Sequence, residues 1–119
     1  GLIVAVEQWR GLVASIWPAD QVDNVLAVME CESGGNPEAH NTAGEDSRGL
    51  MQINVYAHPD MAGLNLYDPE TNLRSALQIW QSSGWGPWSC AAVKGNGVAS
   101  GSPLPALAVA VILAWLLLG

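Results

Sequence analysis

The feature that most restricts this chain is how sharply it starts and stops its helices. Residues 21–33 place Val22, Val25, Leu26 and Met29 at i, i+3, i+4 and i+7, the repeat of one apolar helix face. Gly34-Gly35 and Asn36-Pro37 end that helix, and Asp20, with Pro18 just outside it, reads as its N-cap. A second helix opens at Asp68-Pro69-Glu70, which supplies a cap, a proline in the first position and an acid in the first turn. It carries Leu73, Ala76, Leu77 and Trp80 on one face and stops before Gly84. Ahead of both, residues 7–16 set Trp9, Leu12, Val13 and Ile16 at helical spacing, closed by Trp17-Pro18. Between the two main helices, residues 36–60 turn polar, broken only by the island Gly49-Leu50-Met51-Gln52-Ile53-Asn54. Periodicity alone does not decide whether that island is a short strand or a buried turn. The expected fold is mainly α, an α+β domain with a small β element near residues 48–54.

The length of 119 residues points to one domain. Residues 94–103 are small, Gly/Ser-rich and nearly uncharged, and read as a linker between a domain at 1–93 and a hydrophobic segment at 104–119. The run at 104–118 is apolar apart from Pro105 and, at ~1.5 Å per residue, reaches about 22 Å, against ~30 Å of bilayer hydrocarbon. It is short for a span, yet residues 98–119 carry no charge, and a membrane-anchor helix is the reading favoured. A buried terminal helix is the alternative, disfavoured because the run is apolar on every face. Lys94 is the only charge near it, so the side of the membrane stays open. No charged n-region precedes Leu2-Ile3-Val4, and no leader is read there. The net charge of -7, with 11 acidic and 4 basic residues and no basic cluster, argues against nucleic acid as a partner.

Glu32 stands out on chemistry. It lies three residues past Met29 and seven past Val25, near the apolar side of its helix, while Glu30 is rotated toward the polar side. A carboxyl at the edge of a core loses hydration, which favours its neutral form and suits a general acid. The plainer alternative is a helix-terminal glutamate open to water. His40 and His58 sit 18 residues apart in polar stretches without partners at ligand spacing, so no metal is expected, and nothing calls for a cofactor. Arg48 and Arg74 read as surface charges or ion-pair partners.

The stretch Cys31-Glu32-Ser33-Gly34-Gly35-Asn36-Pro37, followed by Ser47-Arg48-Gly49-Leu50-Met51-Gln52-Ile53-Asn54, resembles the paired signature of lysozyme-like lytic transglycosylases. Together with Gly84-Trp85-Gly86-Pro87-Trp88-Ser89-Cys90 it is also similar to the resuscitation-promoting factors of actinobacteria. The resemblance covers roughly residues 7–90. It implies a lysozyme-like fold with Glu32 as catalytic acid/base. Ser47, Gln52 and Asn54 match positions that hydrogen-bond the sugars, and Tyr67 and Asn72 sit where further cleft residues fall. Trp85 and Trp88 are equally readable as sugar platforms or as core in a domain without phenylalanine. Met51 packs beneath the cleft. Two cysteines in a cytosolic protein would more often be free thiols. The resemblance instead implies a Cys31–Cys90 disulfide, worth roughly 4 kcal/mol in the chain-entropy model and typical of an extracytoplasmic setting.

The activity so implied is cleavage of peptidoglycan between N-acetylmuramic acid and N-acetylglucosamine, by one carboxyl, to a 1,6-anhydro product. A hydrolase would add a second carboxylate, for which Glu45 and Asp46 are placed; a solvated polar loop is the simpler reading of both. The expected setting is a bacterial envelope or a phage virion, with the membrane and a larger assembly as partners beside peptidoglycan. The competing expectation is a glycan-binding or assembly subunit without activity.

Overall fold

The computed structural model describes residues 2–90. The linker expected at 94–103 and the anchor expected at 104–119 lie outside the described residues. Among the described residues no helix is long and apolar enough to cross a membrane.

Four helices frame the domain: α1 (Leu2–Glu7), α2 (Arg10–Ile16), α3 (Val22–Ser33) and α4 (Pro69–Ser83). The segment expected at 7–16 is therefore divided: the chain breaks after Glu7 and restarts at Arg10. There the Trp9 N–H bonds the Val6 carbonyl at 2.9 Å, and the Trp9 indole N–H bonds the Gly35 carbonyl at 2.9 Å. Asp20 is not the cap of α3. It sits in a 3-10 turn (Ala19–Gln21) that leads directly into the helix, whose cap position is Gln21 with no side-chain cap bond. Asp68 does cap α4, accepting the Thr71 N–H at 3.0 Å.

α3 stops where the sequence says it should. Gly34 takes φ 64° and donates to the Met29 and Glu30 carbonyls, a left-handed cap that any side chain would strain. Gly35 answers a different need, because a Cβ there would lie 2.5 Å from the Ala5 carbonyl oxygen. The α1 backbone thus packs directly behind the end of α3.

The core lies between α2, α3 and α4, with Val13, Val25, Val28, Met29, Leu73 and Ala76 fully buried. Indoles complete it. Trp17 and Trp85 stack with ring centroids 5.5 Å apart, and Trp80 and Trp88 tilt against Trp85. A buried indole usually finds a partner for its N–H. Trp17 donates to the Leu73 carbonyl, Trp85 to Gln21 Oε1 and Trp88 to the Met51 carbonyl. Trp80 Nε1 is buried with no partner among the described residues.

Opposite α3 lies a three-stranded antiparallel meander: β1 (His40–Asn41), β2 (Ser47–Arg48) and β3 (Ile53–Asn54). Its register pairs His40 with Arg48, Asn41 with Ser47, Ser47 with Asn54 and Arg48 with Ile53. The sheet begins earlier than the element expected at 48–54, because β1 comes from a polar stretch with no strand-like apolar alternation. The island itself divides: Leu50 and Met51 are buried turn residues, and only Ile53 and Asn54 are strand.

Candidate active site

Glu32 occupies the last turn of α3, directly after Cys31, which is bonded to Cys90. The expected disulfide is present and fastens the segment after α4 to the end of α3. Glu32 is half-buried, and this loss of hydration pushes its carboxyl up to about 7. A backbone N–H from Cys90 opposes the rise, and the charge of Glu45 across the site adds to it. A single carboxyl that holds its proton near neutrality can both give a proton and take one back.

The meander supplies the facing side. Glu45 sits in the β1–β2 turn, where Asn41 Nδ2 donates to it at 3.0 Å and Ser47 Oγ donates to its other oxygen. Asp46, the second carboxylate suggested by position, is committed elsewhere. Arg48 grips it with two bonds of 2.9 and 2.8 Å, and His40 Nε2 lies 2.8 Å from it. Those partners hold Asp46 down at about 2, Arg48 first and His40 second. Of the two, Glu45 is the one that acts on Glu32.

A recess of about 160 Å³ lies between β3, the end of α4 and the Pro87-Trp88 corner. Gln52, Ile53, Asn54, Ala57, His58 and Trp88 are among its lining. Gln52 and Asn54, both expected to meet sugar, are therefore brought to one place. Gln52 adopts φ 50°, unusual for a side-chain-bearing residue, and its Nε2 ties down the Ala39 and Gly49 carbonyls at 3.1 and 3.0 Å. Tyr67 is half-buried with its ring edge-on to His40, centroids 6.0 Å apart.

Three expected contact residues have other duties. Trp85 is 2 % exposed within the indole cluster and bonded to Gln21, so no sugar reaches its face. Asn72 is fully buried: its Oδ1 accepts the Met51 N–H, and its Nδ2 donates to the Arg48 and Leu66 carbonyls, each at 2.9 Å. It pins the meander to α4, and both of its N–H donors are spent on backbone carbonyls. Ser47 is 2 % exposed and spends its hydroxyl on Glu45.

Sequence reasoning missed the Cys90 backbone N–H, which has no side-chain signature. It weighed His58 only as a metal ligand, whereas His58 lines the recess. Pro87 and Ile79, which also line it, carry no chemical signal that would single them out.

The model of the lysozyme-like domain family matches residues 14–90, most of the chain, so this protein belongs to that family, of the lytic-transglycosylase type. That membership makes it a glycosidase acting on peptidoglycan in the general sense. No curated protein and no solved structure matches the chain.

Proposed function

We propose that the protein is a peptidoglycan lytic transglycosylase in which Glu32 is both acid and base. The observation that carries this reading is the half-buried Glu32 carboxyl, raised to about 7, facing a meander that brings Gln52 and Asn54 to one recess. Neutral Glu32 protonates the glycosidic oxygen as the bond from muramic C1 breaks. The resulting carboxylate accepts the proton of the muramic 6-hydroxyl while that oxygen bonds to C1. The product is a 1,6-anhydro end, no water is consumed, and Glu32 is again protonated. The Cys90 N–H steadies the carboxylate formed midway.

A second reading, a muramidase, is favoured by one observation: Glu45 is near enough to raise Glu32 and is held in place by Asn41 and Ser47. A fixed second carboxylate would stabilise the cation or activate water. Mass spectrometry of peptidoglycan digested by the oxidised protein, beside Glu32→Gln and Glu45→Gln, separates the two. Anhydro ends that vanish only in Glu32→Gln support the transglycosylase. Reducing ends lost in both variants mean hydrolysis, and intact glycan leaves a binding subunit.

The setting proposed is extracytoplasmic, with residues 104–119 as membrane anchor, in a bacterial envelope or on a phage virion. The Cys31–Cys90 bond fits an oxidising compartment. Fractionation followed by peptide detection in membranes and in purified virions tests it.

A further inference from the structure

A second recess, of about 310 Å³, adjoins the one beside β3 and shares His58 and Ile79 with it as a common wall. The 3-10 turn Pro59–Met61 forms one side of it and α4 the other, so that Asp60, Met61, Gln78 and Ser82 complete its lining. The side chains of His58, Asp60 and Gln78 form no hydrogen bond or ion pair among the described residues. No described arginine is free to neutralise Asp60: Arg10 is bound to Glu7 and Asp23, Arg48 to Asp46, and Arg74, one turn of α4 before Gln78, to Glu70 at 2.8 Å. The second recess thus offers a carboxylate, a carboxamide oxygen and, in neutral His58, an imidazole nitrogen, all able to accept. Met61 and Ile79 give it an apolar wall.

That set is the complement of a primary ammonium on an alkyl chain. Its three N–H donors and its charge would meet the acceptors, and its methylenes would lie on Met61 and Ile79. An anion would face Asp60 with no described arginine free to offset it. A bare glycan brings no ammonium. Peptidoglycan does, because the diamino acid of its peptide stem carries a free side-chain amine until cross-linking turns that amine into an amide. We propose that the recess formed by His58, Asp60 and Gln78 binds this free amine, making Asp60 a specificity-determining residue that favours strands not yet cross-linked. The inference rests on the reading of the neighbouring recess as a glycan site.

The test uses the oxidised full chain carrying Glu32→Gln, so that binding is read without cleavage. Three soluble probes share one tetrasaccharide of alternating N-acetylglucosamine and N-acetylmuramic acid: without peptide, with stems ending in lysine, and with the same stems acetylated on the lysine amine. Calorimetry gives the affinity of each. The expected result is at least about fivefold tighter binding of the free-amine stems than of the acetylated ones, the order set by one partly exposed ion pair with its hydrogen bonds. The preference should shrink toward equality as salt is raised. Adding Asp60→Asn should erase most of it, with affinity for the acetylated stems and the thermal midpoint unchanged, since that carboxylate carries no bond within the described residues. Gln78→Lys, at an exposed position of α4, brings a competing ammonium to the recess and should do the same by another route. Equal affinity for the two stems while the peptide-free sugar still binds overturns this inference alone, as does a preference that survives both variants. Binding of none of the three probes overturns the glycan reading together with it.

Discussion

On one side of Glu32, α3 buries Val25, Val28 and Met29 completely in the core, and the Trp17, Trp80, Trp85 and Trp88 rings fill the space beyond. On the other side, the paired strand positions are His40, Asn41, Ser47, Arg48, Ile53 and Asn54, and only Ile53 adds apolar mass. The frame is held by removal of apolar surface from water, the meander by side chains bonded to backbone: Gln52 to Ala39 and Gly49, Asn54 to Asp46 and Tyr56, Asn72 to Met51, Arg48 and Leu66. Packing tolerates exchange among apolar residues of like volume. A polar pin does not, because removing it strands the buried group it served. The meander half of the site is thus built from the less forgiving material.

Four variants and one pH profile break or sharpen that contrast. Replacing both cysteines by serine (Cys31→Ser with Cys90→Ser) should cost the frame the most, about 4 kcal/mol for a bridge separated by 59 residues, read by urea unfolding. Asn72→Ala comes next, at about 3 kcal/mol, because it strands three backbone groups and opens a cavity. If the two regions are held differently, hydrogen exchange should rise across residues 47–54 while tryptophan emission stays that of a buried cluster. Equal loosening of both would erase the distinction.

Glu32 sits at the seam, and its effect on stability depends on pH. Its folded value of about 7 lies above the ordinary 4.5, so its contribution to stability is full below about 4.5 and is lost as pH rises through 7. Glu32→Gln should therefore match wild type at pH 4 and exceed it by about 1 kcal/mol at pH 8, after discounting for its partial exposure to solvent. In the reaction proposed, the neutral carboxyl is the acid, so wild-type kcat/KM should fall about tenfold per pH unit above 7. The smallest effect belongs to Asp46→Asn, within the meander. Asp46, held at about 2, supports the fold above its ordinary range and ceases to as pH falls toward 2. Its loss should lower the thermal midpoint by no more than ~3 °C at neutral pH, and less in high salt.

The frame was the legible half of the sequence. The i, i+3, i+4 spacing in α3, the Gly34 stop and the Asp68-Pro69 start are local signals, and each appears where the residues place it. Glu32 was legible for the same reason, since helical phase set it beside Val25 and Met29. The meander was not, because its strands are two residues long and are fixed by contacts with distant backbone. Asn72 and Trp85 show the limit most directly. A buried asparagine strut and a solvent-facing sugar contact are written with the same letter, as are a core indole and a stacking platform. Only the count of groups already bonded tells them apart.

The family match begins at residue 14, yet Val6 and Val13 are buried in the core, and the Trp9 indole reaches across to Gly35 just behind the turn that carries Glu32. The homology boundary and the folding boundary are therefore different places. A fragment cloned from residue 14 would keep every residue named in the proposed reaction and lose the buttress behind α3. An inactive or insoluble product of that kind would report on where the gene was cut and would say nothing about the chemistry.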